Sequence, residues 1–135
     1  MSKANYGDVI YVKHLLYKHF GIYINDDCII HYDGKQDDIL LRNMCVRETD
    51  KQRFLNGKEN YGVKKFKNNN YKPDEVVKRA RSKIGSTNFN LMLNNCEHFA
   101  NWCKTGNRKS DQVNVVLLVI LLLELNSNTI YKKQF

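Results

Sequence analysis

Residues 19–32 read His-Phe-Gly-Ile-Tyr-Ile-Asn-Asp-Asp-Cys-Ile-Ile-His-Tyr (HFGIYINDDCIIHY), and this stretch decides the fold. Phe20–Ile24 and Cys28–Tyr32 are both dense in aromatic and β-branched residues and flank the turn-forming run Asn25-Asp26-Asp27. They are predicted to be two strands of an antiparallel hairpin, the second closed by Asp33-Gly34. If Ile24 opposes Cys28, then Gly21 opposes His31, and His19 lies two residues before Gly21 on the same face. The two imidazoles are then diagonal cross-strand neighbours, roughly 7–8 Å apart at the backbone.

The pattern extends outward from the hairpin on both sides. Asp8–Val12 reads as a strand opened by Gly7, and Ile39–Leu41 and Cys45-Val46 as continuations of the sheet. Residues 47–72 are polar and without sustained periodicity, which predicts loop with a short strand near Tyr61–Phe66. Pro73-Asp74-Glu75 signals a helix start, and Val76, Val77, Ala80 and Ile84 recur at helical spacing before Gly85, giving a helix over 74–84. A second helix is predicted to begin at Asn94 or Asn95 and to end near Lys104, with Gly106 beyond it. Its residues Cys96, Phe99, Ala100 and Cys103 fall at i, i+3, i+4 and i+7, so that face is buried. The fold class is α+β, a small antiparallel sheet packed on helices.

At 135 residues the chain fits one domain with a single core. The net charge of +8 sits in residues 42–83, where 13 Lys/Arg face 5 Asp/Glu. Such a stretch attracts anionic lipid headgroups or is simply solvated; no nucleic-acid module accompanies it, so no nucleic-acid partner is expected. Four cysteines without a basic-then-apolar leader before the first strand point to free thiols in a reducing, cytoplasmic compartment. No pair has the close spacing of a structural zinc site, and neither metal nor cofactor is expected. The run Val113–Leu125 holds nine continuous apolar residues, Val115–Leu123. As a helix these span only about 13–14 Å, less than half of a ~30 Å hydrocarbon core, so the run either lies at a bilayer surface or packs in the core.

Chemistry centres on Cys96. At the first turn of a helix, unpaired N–H groups and the helix dipole favour thiolate over thiol. Position alone leaves the alternative that Cys96 is a packing residue, since free cysteine is commonly buried. A nucleophilic cysteine needs a base, and the hairpin offers two imidazoles on one face that can serve one site, His19 taking the thiol proton and His31 holding and polarising it; the alternative is that either is an ordinary surface or edge histidine. His98, two residues after Cys96, points about 200° away around a helix and is assigned a structural role. His14 receives no partner.

The string Asn95-Cys96-Glu97-His98-Phe99 (NCEHF), followed by Gly106 and Ser110-Asp111-Gln112-Val113, resembles the lecithin:retinol acyltransferase-like family of the NlpC/P60 thiol hydrolase superfamily. Gly7-Asp8, His19–Ile24 (HFGIYI) and Ile30-His31-Tyr32 (IHY) agree in order and spacing, so the resemblance spans roughly residues 6–113. It implies a permuted papain-like, NlpC/P60-type fold, with residues 1–113 as the catalytic domain and 114–135 as an apolar C-terminal segment and polar tail. It also implies a phospholipid substrate, with Cys96 attacking an ester carbonyl, His19 accepting the thiol proton and His31 supporting His19. The resulting acyl-thioester passes to an acceptor in acyltransferase chemistry or to water in phospholipase A1/A2 chemistry. The rival readings are a Cys–His amide or peptide hydrolase and a non-catalytic interaction module. Members of the family commonly carry a long apolar C-terminal anchor; the shorter run here implies peripheral contact with a membrane surface.

Overall fold

The computed structural model describes residues 3–15, 17–34, 44–67, 70–87, 92–107, 119 and 121–126. Its strands are β1 (Val9–Lys13), β2 (Lys18–Asn25), β3 (Cys28–Asp33), β4 (Cys45–Thr49) and β5 (Gly62–Val63). Its helices are α1 (Lys51–Leu55), α2 (Pro73–Ser82) and α3 (Met92–Thr105). The strands form one sheet in the order β4-β3-β2-β1-β5, and every neighbouring pair is antiparallel. The α+β class therefore holds.

The hairpin register is the one expected in its body, with Gly21 opposite His31, but the turn is tighter. Asn25, not Ile24, pairs with Cys28, and the register shifts between Tyr23 and Asn25. The extra residue is absorbed there as an irregularity, so the pairs deeper in the sheet are unaffected. β1 and β2 run one or two residues beyond their predicted ends. The candidate strand at Ile39–Leu41 lies outside the described residues.

Side-chain alternation divides the core in two. Val9, Phe20, Ile22, Ile30, Tyr32 and Val46 face α2 and α3 and pack with Val76, Val77, Ala80, Cys96, Phe99, Ala100 and Cys103. On the other face Ile10, Val12, Tyr23 and Ile29 pack with Phe54 of α1. The buried face expected for α3 is present in full, with Cys96, Phe99, Ala100 and Cys103 all 3% exposed or less.

Three departures have physical causes. The segment after residue 47 is more regular than its polarity suggests. β4 continues to Thr49, and α1 follows with Asp50 as N-cap, its carboxylate accepting from the Arg53 N–H at 2.8 Å. α2 stops at Ser82, leaving Ile84 exposed. The chain then turns through Gly85 at φ +89° so that its N–H bonds the Val46 carbonyl at 2.9 Å. α3 begins at Met92 rather than at the asparagines, because Met and Leu are better helix formers than Asn and extend the helix upstream.

At the C-terminal end, Val119 and residues 121–126 are helical. Val119, Leu121, Leu122, Leu123 and Leu125 are each about half exposed or more, so this part of the run is not core. Among the described residues no helix is long and apolar enough to cross a membrane.

Candidate active site

β2 and β3 carry the two imidazoles to one place. The diagonal created by the Gly21–His31 pair brings His19 Nε2 within 2.9 Å of His31 Nδ1, and the rings meet edge to face with centroids 5.0 Å apart. The other His31 nitrogen, Nε2, is 2.7 Å from the Thr49 hydroxyl on β4. Phe54 closes over both rings, its centroid 5.1 Å from each.

Gly21 makes this packing possible. A Cβ there would stand 2.8 Å from Phe54 Cε2, closer than Cβ atoms come, and 3.2 Å from His31 Cβ, a contact the neighbour would have to yield to.

Burial dominates the electrostatics of the rings. It pushes the His19 imidazole down to about 3, with His31 adding to the effect and Asp33 opposing it. His31 is pushed down to about 3 by burial and by the Arg53 guanidinium. Arg53 is itself held by Asp33, Nε to Oδ2 at 2.9 Å. Both rings are therefore neutral near neutral pH.

Cys96 reaches the same strand from the α3 side. Its thiol donates to the Lys18 carbonyl at 3.6 Å, and the Phe20 N–H also acts on the sulfur. The sulfur thus lies against the backbone on either side of His19, while its own bond runs to Lys18 rather than to the imidazole. Burial pushes the thiol up to about 11, and the N–H groups of Phe20, Glu97 and Cys96 pull the other way.

The expected first-turn activation of Cys96 is corrected here. With α3 starting at Met92, Cys96 lies in the second turn, where most N–H groups are already paired within the helix. Together with burial, this leaves Cys96 a thiol at rest, with both imidazoles neutral.

α3 is fixed to the sheet side by a lysine that sequence reasoning passed over. Lys64 Nζ lies 3.6 Å from the carboxylate of Glu97, which is 2% exposed, and donates to Asn101 Oδ1 at 2.9 Å. The same ammonium sits over the rings of Phe20 and Phe66. Of the remaining histidines, His98 is half-buried on α3, and His14 stacks on Tyr17 with centroids 4.9 Å apart. Among the described residues no group of three His, Cys, Asp or Glu is placed to hold a metal ion.

Thr49 and Phe54 were also missed by sequence reasoning. Arg47 pairs with His31, so Thr49 is the diagonal neighbour of His31 across β3 and β4, just as His19 is across β2 and β3. The same rule would have found it had β4 been extended past Val46.

A five-stranded antiparallel sheet that pairs two imidazoles, with a cysteine-bearing helix laid along the strand that carries one of them, makes this an α+β protein. The family model for lecithin retinol acyltransferase matches residues 2–109, and the chain belongs to that family. It is 29% identical over 120 residues to human phospholipase A and acyltransferase 2, covering 79% of this chain and 74% of that protein. It is 28% identical over 128 residues to rat phospholipase A and acyltransferase 5, covering 87% of this chain and 44% of that protein. Rat lecithin retinol acyltransferase is 27% identical over 130 residues, 78% of this chain and 56% of that protein. The chain thus spans about half the length of the last two relatives.

Proposed function

We propose that the protein is a phospholipid-dependent thiol acyltransferase and phospholipase A1/A2 acting through an acyl-thioester on Cys96. The observation that carries this reading is the position of the Cys96 sulfur against the β2 backbone beside His19, whose ring is already held by His31. Family membership and the names of the relatives supply the substrate class.

In the proposed sequence the thiol turns from the Lys18 carbonyl toward His19 as substrate enters. His19 takes the proton at Nδ1 while its Nε2–H stays on His31 Nδ1. Cys96 Sγ attacks the ester carbonyl, and collapse of the tetrahedral intermediate expels the lysophospholipid alcohol, which takes the proton back from His19. The thioester then passes its acyl group to a hydroxyl or amine acceptor, or to water, with His19 deprotonating the incoming group and returning that proton to the departing Cys96 sulfur. Cys96 and His19 are the catalytic residues, and His31 positions His19. No metal or cofactor enters any step.

The reading includes a permuted papain-like, NlpC/P60-type arrangement for residues 1–113, with 114–135 as a separate segment. The exposed leucines between 119 and 125 are suited to lie at a bilayer surface, aided by the basic stretch 42–83. The four free thiols suit a reducing, cytoplasmic location.

Incubation with phosphatidylcholine followed by intact-protein mass analysis tests the function. The expected result is an added acyl mass and released lysophospholipid, both lost in Cys96→Ser. A wild-type protein that gains no acyl mass and releases no lysophospholipid would contradict it.

A further inference from the structure

The hydrogen-bond chain through the imidazoles does not end at His31. Its last link is the Thr49 hydroxyl, which lies 2.7 Å from His31 Nε2 and donates to the Asp50 carbonyl at 3.2 Å. That carbonyl is fixed in place, because it also accepts the first helical bond of α1 from the Phe54 N–H at 3.1 Å. A carbonyl can only accept, so it offers the Thr49 proton a partner that leaves the Thr49 oxygen free to accept. With the proton placed there, the Thr49 oxygen accepts and His31 carries its own proton on Nε2.

Each remaining role follows from the one before. With Nε2 protonated, neutral His31 has an acceptor at Nδ1, and the 2.9 Å contact requires His19 to donate from Nε2. His19 is left with a lone pair on Nδ1, the tautomer a general base requires. Reversing the first link would reverse all of them: a Thr49 hydroxyl pointed at His31 would place a proton on His19 Nδ1 and disable the base.

We propose that Thr49 is a positioning residue that sets the tautomer of His19 through His31 by committing its own proton to the Asp50 carbonyl. The role rests on the reading of His19 as base to Cys96, but the tautomer itself does not depend on any activity. The signal comes from the fold, since Thr49 reaches His31 by the same diagonal that brings His19 to it, and α1 supplies the anchored acceptor.

The variants Thr49→Ser and Thr49→Val separate the hydroxyl from the side chain's bulk, since serine keeps the donor and acceptor and valine keeps the shape. Imidazole ¹⁵N spectra of the wild-type protein are expected to show both rings protonated on Nε2. In Thr49→Val the His31 Nε2–H loses its acceptor, and the rings are expected to exchange between tautomers. On phosphatidylcholine, kcat is expected to fall on the order of tenfold in Thr49→Val, a factor worth about 1.4 kcal/mol in the barrier, with KM unchanged and Thr49→Ser near wild type. The pH profile of kcat is expected to shift in Thr49→Val alone, because Asp33, Arg53 and His14, the other charged groups acting on these rings, are common to all three proteins.

Wild-type rings protonated on Nδ1 would overturn the proposal without any variant. So would a Thr49→Val protein with unchanged ring spectra, or a Thr49→Ser protein as impaired as Thr49→Val. If the spectra behave as expected and phosphatidylcholine is not turned over, the assignment of Thr49 stands and the lipid chemistry fails.

Discussion

The two faces of β2 are built on different terms. On one face His19, His31 and Thr49 satisfy one another in a continuous chain, with Phe54 packed over the rings. On the other, Cys96 is a small apolar side chain among Phe20, Phe99 and Ala100, its thiol bonded only weakly to the Lys18 carbonyl. The imidazoles are held in fixed contact, whereas the thiol is packed away as a core side chain. The two faces differ in charge preference as well: burial pushes the thiol up and the imidazoles down, so both rest neutral, and under the proposed chemistry activation would have to come with substrate. What joins the faces is one strand, with the sulfur against the backbone flanking the residue that bears the base.

The largest break in this comparison is removal of the base. His19→Ala is expected to lower turnover by about 10²–10⁴-fold while the fold persists, the usual contribution of a positioned base. His98→Ala, on α3 but outside the chain of imidazoles, is expected to leave turnover within a few-fold of wild type. Steady-state kinetics on both variants, with circular dichroism as a control, check the contrast; equal losses would erase it.

Acid acts on the imidazole face and not on the buried thiol. Unfolding returns both rings to the ordinary value near 6.5, so between about 3 and 6.5 the unfolded chain binds more protons than the folded one. Stability is therefore complete above about 6.5 and falls as the medium is acidified through that window. The midpoint of urea unfolding is expected to drop from pH 7 to pH 4.5, and His31→Asn is expected to flatten the slope. A wild-type midpoint that does not move would place the rings in solvent rather than under Phe54.

Gly21→Ala applies a smaller pressure to the same place. Its Cβ would meet Phe54, Ile29 and His31 at 2.8–3.2 Å, and overpacking of this kind costs about 1–3 kcal/mol. Thermal unfolding is expected to report that loss, with a fall in turnover as the rings are displaced. An alanine tolerated without change would show that Phe54 does not hold the imidazoles.

The fold was legible where short-range patterns decide it. The hairpin from His19 to Tyr32 carried its register in its spacing, and the one-residue irregularity near Ile24 left the Gly21–His31 pair intact. The buried face of α3 was equally readable from Cys96, Phe99, Ala100 and Cys103. The region after Val46 was not, because β4 is an edge strand whose outward residues are polar and α1 is a five-residue helix too short to show a period. Thr49 and Phe54 were hidden with it. The start of α3 was misplaced because Asn94 and Asn95 are strong caps in isolation, and Met92 and Leu93 outweigh them. That error placed Cys96 in the first turn, whereas it lies in the second turn and is buried.

The most direct test of the joined faces is to map the acyl group after incubation with phosphatidylcholine, by proteolysis and mass spectrometry, in wild type and His19→Ala. A hydroxylamine-sensitive acyl thioester confined to the peptide containing Cys96 is expected in wild type, with its loss or strong reduction in His19→Ala. An acyl group on Cys28, Cys45 or Cys103, or one that forms on Cys96 equally fast without His19, would contradict it.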